Sequence, residues 1–568
     1  MRKIKFKKIP KKSDIKRYFG RGILAALIAT SAINITPNRV QASDLSNVKT
    51  QKDITDYDSE NLQNESDLSI IRDTNKIAGS VMNCTFSKDN NTVEETKKTK
   101  SFYDLEEAIK YARENNYSNI DVFINHSFYI SKNLDITGLN LKITGNYRSD
   151  KRTELYIFDD GEIENGEASA VFISKGNNNE ETVLSLNTLR TSGKTPILKN
   201  LGTGKTTEAY TDFEAESIYS NSENTYFNSC KADRVVVPNA INCYIKYGEF
   251  GEIGINSKKE ADIVIDSARA DSIKADYSCG EEEESQKINS RFKSIACEAR
   301  KMTVDGYKTV DINSSRHSNI IEVSNSDNVC FSDLQGKEIA VKANNNGQVT
   351  MYGSHINSLD ASNGKTLRCS SSSLEDKTVC SGIGKTFFNH LTTKELTIEE
   401  SSTGIVDYST IGILNGRNLN NLLTHGSTIE SANIENVGNT RFVRSSFSPN
   451  ITTYEGEKLG NDESNIVVNN STVKCFQCTF DGTNVSLTDV NGNKYEMVIF
   501  DNCLTVEPVK TETPDGKVRA KFMHPGDLPV YCTILGFIDK EGNILPNELG
   551  STEFSETEED FKSFDLVS

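Results

Sequence analysis

The chain has 568 residues and carries 64 Lys and Arg against 81 Asp and Glu, a formal net charge of −17 at pH 7. A surface this acidic repels phosphate backbones, so we expect no nucleic-acid partner. Beyond the N-terminal segment no stretch approaches the roughly 20 consecutive apolar residues of a membrane helix, so we expect a chain that is not membrane-spanning once that segment is removed.

The N-terminal segment has the layout of an export signal. Ten basic side chains lie in the first 21 residues, an apolar stretch runs from Gly22 to Ile35, and Val40-Gln41-Ala42 offers the small residues that a signal peptidase reads. We therefore interpret residues 1–42 as an export signal cleaved after Ala42, with an uncleaved anchor as the alternative. Because residues 1–42 hold 11 Lys and Arg and one acid, the remainder has 53 basic and 80 acidic side chains, a net charge of −27.

Residues 43–98 are rich in Asn, Asp, Ser, Thr and Lys, which predicts a flexible polar leader with partial order around 77–86. The pattern changes at Asp104, where apolar residues begin to recur at helical spacing. The apolar residues on one helical face are Leu105, Ala108, Ile109 and Ala112. Together with the acid-rich first turn, this spacing predicts a helix over 104–116.

Short alternating strands follow the helix, at 120–124, 128–130, 134–136 and 141–143. An amphipathic helix followed by closely spaced strands is typical of a capped solenoid, in which the helix covers the open end of the stack. We therefore predict an all-β fold, a parallel β-helix over 99–504 with its capping helix at 104–116.

The same stretch carries a family resemblance. Its features are an Ala-Ile pair in the helix, then Val-Phe-Ile, then Asn133-Leu-Asp-Ile-Thr-Gly-Leu-Asn-Leu-Lys-Ile-Thr-Gly145. From Tyr103 to Gly145 the chain resembles the opening of pectin-lyase-like right-handed parallel β-helix proteins. The resemblance implies a right-handed solenoid of exported bacterial type and makes cleavage of polysaccharides one candidate activity.

Polysaccharide-cleaving enzymes of that fold use outward-facing side chains of adjacent coils. Lyases combine acidic calcium ligands with a basic residue, whereas hydrolases need paired carboxylates. The best acidic cluster of this type is Phe158-Asp-Asp-Gly-Glu-Ile-Glu164, so Asp159, Asp160 and Glu162 are weak acidic candidates, with a polar turn as the alternative. A second acidic run, Gly280-Glu-Glu-Glu-Glu-Ser285, predicts a looped-out insertion with solvated charges.

A repeat marks the second half of the chain. Small polar residues precede an apolar residue in six short motifs, and the closing apolar positions are 356, 374, 391, 411, 429 and 447, which rise in steps of 18, 17, 20, 18 and 18. A near-constant period implies a stack of equivalent coils. Left-handed hexapeptide helices also use coils of this length, but they repeat an aliphatic residue every six positions. That pattern is inconsistent here, which favours the right-handed alternative.

The sequence around the histidines lacks the catalytic motifs of hydrolases of this fold. Thr424-His425-Gly426 departs from the Gly-His-Gly motif of polygalacturonate hydrolases of this fold, and their Arg-Ile-Lys motif does not occur. We expect His425 at a coil corner, with His355 and His390 near matching positions of their own coils. The six histidines are scattered singly, so neither a catalytic triad nor a metal site is predicted.

Twelve cysteines in an exported chain suggest disulfides. Positions one coil apart lie about 4.8 Å apart, within disulfide reach. On that basis Cys279 with Cys297 is the best possible disulfide and Cys478 with Cys503 a looser one, while buried thiols stacked in the core are the alternative. Cys475-Phe-Gln-Cys478 lacks the second pair of a zinc site and the context of a redox motif.

The amino-acid composition changes near Thr505. Half of the ten prolines follow it, and the tail after Thr552 is acidic. We predict a small C-terminal cap or β-module over 505–568, with strands near 518–522 and 530–535.

The leading interpretation is a secreted or cell-surface β-solenoid that acts as a binding or adhesion surface. Its partner would be a host or envelope surface component or a polysaccharide. The absence of Trp, the ring most used for sugar stacking, argues against a dedicated glycan-degrading enzyme. A polysaccharide lyase or glycoside hydrolase acting on acidic polysaccharide is the alternative, and a subunit of a larger assembly is a third. The sequence indicates no cofactor, with Ca²⁺ as a candidate only if the chain is a lyase.

Overall fold

The computed structural model describes residues 81–88, 97–126, 128–130, 134–148, 151–157, 170–191, 197–257, 260–278, 290–314, 319–449, 451–452, 458–459, 464–471, 473–480, 483–488, 494–498, 502–507, 519–521, 537–538 and 544–545. The predicted export signal and most of the predicted leader lie outside these residues.

Strands dominate the described part of the chain, and their order follows the sequence. The N-terminal elements are β1 (Met82–Ser87), β2 (Lys98–Phe102), α1 (Leu105–Glu114), β3 (Asn119–Ile124), β4 (Phe128–Ile130), β5 (Leu134–Asp135), β6 (Asn140–Thr144), β7 (Tyr147–Arg148), β8 (Lys151–Ile157), β9 (Ala170–Ser174), β10 (Glu181–Thr191) and β11 (Ile197–Asn200). The central strands are β12 (Lys205–Tyr219), β13 (Asn224–Asn228), β14 (Lys231–Val237), β15 (Asn242–Lys246), β16 (Glu249–Ser257), β17 (Asp262–Asp266), β18 (Arg269–Tyr277), β19 (Arg291–Ile295), β20 (Glu298–Asp305), β21 (Thr309–Asn313), β22 (Ile320–Ser324), β23 (Asn328–Ser332) and β24 (Gln335–Asn344).

The strands that follow are β25 (Gln348–Tyr352), β26 (His355–Ser362), β27 (Thr366–Ser381), β28 (Lys385–Glu399), β29 (Thr403–Asp407), β30 (Thr410–His425), β31 (Thr428–Val443), β32 (Ser446–Phe447), β33 (Ser464–Asn469), β34 (Val473–Phe480) and β35 (Thr483–Thr488). The last are β36 (Lys494–Val498), β37 (Asn502–Glu507), β38 (Arg519–Lys521), β39 (Phe537–Ile538) and β40 (Ile544–Leu545). The predicted all-β fold is confirmed: the chain forms a parallel β-helix of about 15 turns.

Each regular coil has three faces of unequal width. In the coil that starts at β25, the five residues of that strand lie on face 1, residues 355–356 on face 2 and residues 358–362 on face 3. The next coil pairs in parallel with all three segments. Faces of five, two and five residues do not match the three six-residue sides of a hexapeptide helix, which argues against that alternative.

Face 1 forms one parallel ladder along most of the solenoid. Its strands, in order, are β3, β6, β10, β12, β13, β15, β17, β19, β21, β23, β25, β27, β28, β29, β30, β31 and β34. Because every residue pairs with its equivalent in the next coil, side chains far apart in sequence stack in columns parallel to the axis.

The observed register corrects one member of the predicted repeat. Ile356 pairs with Leu374, Leu374 with Thr393 and Thr393 with Ile411. Thr393 therefore holds the repeat position that the sequence pattern assigned to Leu391. The side chains of Leu391 and Thr393 are both fully buried. A search for apolar residues therefore selects Leu391, but strand pairing places Thr393 in the column.

The acidic run near residue 280, predicted to be a looped-out insertion, lies outside the described residues, but strand pairing shows that its coil is longer than its neighbours. Face 1 pairs Asp262 with Arg291 in one step and Arg291 with Thr309 in the next. The residue number thus rises by 29 across the first step and by 18 across the second. The first coil exceeds the regular length by the length of the segment 279–289, which contains the acidic run.

The core is a set of apolar columns inside the three faces. In β25 the second and fourth residues, Val349 and Met351, are buried, and they stack on Leu367 and Cys369 of the next coil. Aromatic rings continue the same principle, since Tyr210 and Phe227 are paired in successive coils and their ring centroids are 5.3 Å apart. Each fully buried side chain of this size contributes about 1.5–3 kcal/mol, so the columns hold the coils together.

The turn from face 1 to face 2 is built from a left-handed residue followed by a buried hydrogen-bonding side chain. The left-handed residues include Tyr408 at φ 47° and Gly426 at φ 59°. The buried side chains that follow are those of Ser354, Ser372, Ser409, Ser427 and Ser445, and each donates its Oγ hydrogen to the carbonyl two residues earlier. In most of these coils the same Oγ accepts a backbone N–H from the preceding coil, as when Leu391 donates to Ser409 at 3.1 Å. This serine column therefore satisfies backbone groups that the turn would otherwise leave unpaired.

The N-terminal end is closed by a helix and two antiparallel strands. Helix α1 begins after Asp104, whose Oδ1 accepts the N–H of Glu106 at 2.9 Å, and it buries the four apolar residues predicted from the sequence. Strand β1 pairs antiparallel with both β2 and β3. Strand β1 overlaps the part of the leader that was predicted to be partly ordered, 77–86, and its residues Met82, Cys84 and Phe86 are fully buried.

Pairing changes from parallel to antiparallel at the C-terminal end. Strand β35 is the last of the described strands that pairs in parallel, and β36 and β37 then pair antiparallel with β35 and β34. Strands β38, β39 and β40 extend this antiparallel part, so the predicted small C-terminal β-module is confirmed. It begins at Lys494, earlier than the predicted residue 505. Its predicted strand at 518–522 corresponds to β38, and the one at 530–535 lies outside the described residues.

Candidate functional site

Several of the sequence-based site candidates cannot be placed. Asp159, Asp160 and Glu162 lie outside the described residues, as does Cys279. The acidic site at 158–164 and the disulfide between Cys279 and Cys297 therefore stay predictions.

Cys297 occupies the turn position that serines hold in later coils. It is fully buried, and its Sγ donates hydrogen bonds to the carbonyls of Ile295 and Ile265, both at 3.3 Å. The bond to Ile295 reaches the carbonyl two residues earlier, as the serine bonds do. Burial raises the pKa of the Cys297 thiol. In this position the cysteine acts as a structural donor.

Cys478 and Cys503 lie on paired strands, but not directly opposite each other. In the antiparallel pairing of β34 and β37, Cys478 faces Asn502 and Cys503 faces Phe476. Cys478 is fully buried, and its Sγ donates to the carbonyl of Phe442 at 3.2 Å. The second disulfide also stays a prediction.

Thiols in the core fit the buried-thiol alternative. Cys84, Cys243 and Cys369 are free and almost fully buried. Burial raises the pKa of each of these three thiols to about 12. Such groups stay protonated at neutral pH and are poor nucleophiles.

Large apolar and aromatic side chains that remain exposed gather on one corner of the solenoid. We define the face 1 corner as the position along the face 1 ladder that is equivalent to Tyr352 and Asp407, together with the residue that follows it in each coil. In the part of the chain that the structure describes, the exposed large side chains are Phe123, Leu201, Tyr247, Tyr352 and Tyr408. All of these except Leu201 lie on the face 1 corner.

Two histidines meet a tyrosine on this corner. The ring of Tyr408 stacks on that of His390 with centroids 5.6 Å apart, and it contacts the ring of His425 edge-on at 5.1 Å. The three residues are 18 and 17 positions apart, which is one coil each. From the sequence, His390 and His425 were interpreted as isolated histidines. Their spacings from Tyr408 match the coil period, and this match could have predicted the contact.

A carboxylate and an amide complete the group. Asn389, Asp407 and His425 pair with one another in consecutive coils of face 1. We call Asn389, His390, Asp407, Tyr408 and His425 the corner cluster. The Nδ1 atom of His390 contacts Oδ1 of Asn389, which ties the exposed imidazole to its neighbour.

Asp407 is half-buried within the corner cluster. Burial raises the pKa of its carboxyl group, while the charges of His425 and His390 act in the opposite direction. Its Oδ1 accepts no hydrogen bond within the described part of the chain. This oxygen is buried, so the cluster contains an unpaired acceptor that is not open to solvent.

Gly426 fixes the position of the Tyr408 ring. A Cβ atom at Gly426 would lie 2.7 Å from Cε1 of Tyr408, closer than atoms can pack. The tyrosine ring therefore lies directly on the backbone of the next coil, with His390 on its other side. This arrangement needs glycine at position 426 for space as well as for its left-handed backbone.

The cluster does not have the geometry of a metal centre or of a glycosidase. The Tyr408 ring lies between the two imidazoles, so they cannot share an ion, and among the described residues no group of three His, Cys, Asp or Glu side chains could hold a metal. Its one carboxylate is that of Asp407, whereas glycoside hydrolysis generally uses two. Its exposed polar groups, the amide of Asn389 and the imidazole of His390, can hydrogen-bond to a ligand.

His355, predicted near a matching corner position, lies instead on face 2. Its Nε2 is 3.1 Å from Oε1 of Glu375, which is also 3.1 Å from Nζ of Lys337. This group is an ion-paired surface cluster that joins neighbouring coils.

A shallow groove of about 390 Å³ lies on the turn and face 2 side of earlier coils. Its rim carries two exposed ion pairs, Arg269 with Glu298 at 2.7 Å and Arg300 with Asp271 at 3.2 Å. Both guanidinium groups are already paired with carboxylates, so neither is a free anion-binding group.

Glu208 is a carboxyl group sealed inside the solenoid. Strand β11 is an edge of the three-stranded sheet with β9 and β5, and the N–H of Leu198 donates to Oε1 of Glu208 at 2.7 Å. Ser220 donates its Oγ hydrogen to Oε2. The Glu208 carboxyl group thus accepts a backbone hydrogen bond from β11 that a neighbouring strand would accept if β11 were not at the edge of its sheet. Burial, partly opposed by these hydrogen bonds, raises the pKa of Glu208 to about 7.

Comparison with known proteins adds no family to this geometry. No family model matches the chain, and neither a curated protein nor a solved structure matches it. Among the described residues there is no helix with the length and apolar character needed to cross a membrane.

Proposed function

We propose that the chain is an exported β-solenoid of bacterial type that acts as a non-catalytic binding or adhesion surface, and that the face 1 corner makes the contact. The observation that carries the proposal is the placement of Phe123, Tyr247, Tyr352 and Tyr408 on that one corner. Exposed aromatic side chains with polar groups beside them are typical of recognition surfaces.

The N-terminal sequence supports export to the cell surface or the medium. Residues 1–42 have the layout of a cleaved signal, and the resemblance from Tyr103 to Gly145 is to exported bacterial proteins of pectin-lyase-like type. A rigid stack of coils also suits adhesion, because it presents the same corner over a long distance.

The proposal is tested with the chain after signal removal, residues 43–568. Binding is measured to immobilised envelope polysaccharide, to whole host cells and to a polyuronate, and the same samples are assayed for soluble products. We expect saturable binding to a surface component without turnover. Absence of binding to every surface, together with turnover of the polyuronate, would contradict the proposal.

A polysaccharide lyase or hydrolase remains the second candidate, supported by the resemblance at Tyr103 to Gly145. Its acids would be Asp159, Asp160 and Glu162, which come far before the corner cluster in the sequence. Ultraviolet absorbance from unsaturated products that requires Ca²⁺ and disappears in Asp160→Asn would favour this candidate. The same activity in a Tyr408→Ala variant would place the chemistry away from the corner cluster.

A further inference from the structure

We propose that Lys98 and Lys100 prevent strand β2 from pairing with β2 of a second copy, so that the N-terminal end of the solenoid stays unassociated. This role is independent of what the face 1 corner binds. It follows from a strand with an open edge, from two lysines on the core-facing side of that strand and from the pairing geometry of two antiparallel strands.

The N-terminal end of the face 1 ladder finishes on an open strand edge. Strand β1 pairs antiparallel with β3 on one side and with β2 on the other, and no described strand pairs with the outer edge of β2. Four of the five residues of β2 are exposed. At the C-terminal end, by contrast, the antiparallel strands β36 and β37 cover β35 and β34. An exposed edge offers its unpaired N–H and C=O groups to another chain, so β2 is a place where two copies could join.

Two lysines lie on the core-facing side of this edge strand. In the pairing of β2 with β1, Lys98 is opposite Phe86 and Lys100 is opposite Cys84. Directly opposed residues place their side chains on the same face of a sheet, and both Phe86 and Cys84 are fully buried. Charged side chains that point inward from an edge strand protect natural sheets against the addition of another strand.

The ammonium groups stay near the edge and have no acidic partner. Nζ of Lys100 is 4.4 Å from the ring centroid of Tyr111 on α1, and Nζ of Lys98 is 5.5 Å from the same centroid. No carboxylate in the part of the chain that the structure describes pairs with either lysine. Two positive charges therefore lie close together, without neutralisation, at the rim of the apolar core.

Pairing of β2 with its equivalent would bring these charges together. Antiparallel pairing centred on Lys100, which overlaps the whole strand, places Lys100 opposite its own equivalent. Pairing centred on Thr99 places Lys98 opposite Lys100 of the other copy, twice. Cβ atoms of opposed residues are about 4.5–5.5 Å apart, and like charges in such positions destabilise the pair. A shift by one residue would join the core side of one copy to the solvent side of the other, so it offers no alternative register.

The test compares the chain after signal removal, residues 43–568, with Lys98→Thr/Lys100→Thr. Threonine favours strands and is polar, but it carries no charge. The substitution makes the negative net charge larger by two, which by itself opposes association, so any gain in association must come from the edge. Mass is measured by analytical ultracentrifugation over a series of concentrations. Hydrogen exchange of residues 98–102 reports pairing of the edge, and thermal unfolding checks that each variant folds.

We expect Lys98→Thr/Lys100→Thr to associate, as its concentration rises, to about twice the mass of the unmodified chain, with slower exchange at 98–102. Lys98→Arg/Lys100→Arg retains both charges and should keep the mass of the unmodified chain. Lys385→Thr/Lys394→Thr is the matched control, because it removes two exposed lysines from β28, a strand with parallel neighbours on both sides. This control should also keep that mass.

Three results would overturn the proposal. The first is a folded Lys98→Thr/Lys100→Thr variant that keeps the mass of the unmodified chain at every concentration. The second is association of this variant that leaves exchange at 98–102 unchanged. The third is an unmodified chain whose residues 98–102 already become protected as its concentration rises.

A charge-swapped variant tests the same point without removing charge. Lys98→Glu/Lys100→Glu should not pair with itself through β2, since like charges again oppose each other. Mixed with the unmodified chain it should form a heterodimer, because the introduced carboxylates then face ammonium groups. Added salt should weaken this heterodimer, since it screens exposed charges. Absence of the heterodimer would show that charge does not keep these edges apart and would contradict the proposal.

Discussion

Glu208 is a buried carboxyl group whose ionisation opposes folding, and replacing it with glutamine isolates that effect. In the folded chain burial holds the pKa of Glu208 at about 7, against an ordinary value of 4.5. Between these two values the folded state keeps its proton and the unfolded state loses it. Raising the pH across this window therefore favours unfolding, and the stability present below pH 4.5 is lost as the pH rises to about 7.

The size of the effect follows from the pKa difference. A shift from 4.5 to about 7 corresponds to a loss of about 3 kcal/mol of stability across the window. Glu208→Gln has no proton to lose, and its amide can still accept from Leu198 and donate to neighbouring oxygens. We therefore expect the variant to gain about 3 kcal/mol relative to the unmodified chain between pH 4 and pH 8.

Hydrogen exchange of the segment 197–220 measures this locally, which matters because a long solenoid need not unfold in one step. After correction for intrinsic exchange rates, the opening free energy of this segment should fall between pH 4 and pH 8 in the unmodified chain and stay nearly constant in Glu208→Gln. Glu216→Gln is the control, because Glu216 is exposed on the same strand. An unchanged pH dependence in Glu208→Gln would refute the reasoning.

Three further predictions concern the corner and the core. Gly426→Ala should lower the stability measured by thermal unfolding by about 1–2 kcal/mol, because an L side chain strains the left-handed backbone, and it should also displace the Tyr408 ring. Gly138→Ala is the control: position 138 is also left-handed but has open space around it, so this variant should show the strain alone. Ser409→Ala should lower the free energy of unfolding by about 1–3 kcal/mol, because the buried backbone N–H of Leu391 loses its acceptor. An unchanged free energy in urea unfolding would show that the serine column does not stabilise the fold. Cys243 should resist maleimide at pH 8 until the chain unfolds, and rapid labelling of the native chain, located by peptide mapping, would show that the core is more open than the structure indicates.

The fold was predictable because the coil period and the amphipathic helix are local patterns. Leu105, Ala108, Ile109 and Ala112 marked the helix correctly, since their spacing alone defines a buried face. The repeat was recovered apart from one position, where Leu391 was chosen over Thr393. A pattern of apolar residues cannot distinguish two buried neighbours, whereas strand pairing distinguishes them at once.

The candidate site was not predicted, because its residues become neighbours only through stacking. His390 and His425 are 35 positions apart and carry no shared local motif. Their contact with Tyr408 needs the register of three coils, which a sequence pattern defines only to within a few residues. The packing of Tyr408 on Gly426 depends on interatomic distances of a few ångströms, which a sequence pattern does not define.

The distance between equivalent positions in widely separated coils tests the central claim most directly. Asn228 and Asn389 are both exposed on the face 1 corner and are joined by eight coil steps in the ladder. Spin labels attached at these two sites through ketone-bearing amino acids, measured by pulsed electron paramagnetic resonance, should give a narrow distribution centred at about 38 Å, eight strand spacings. A broad distribution, or a distance shorter than this by two or more strand spacings, would contradict a stack of coils in this register.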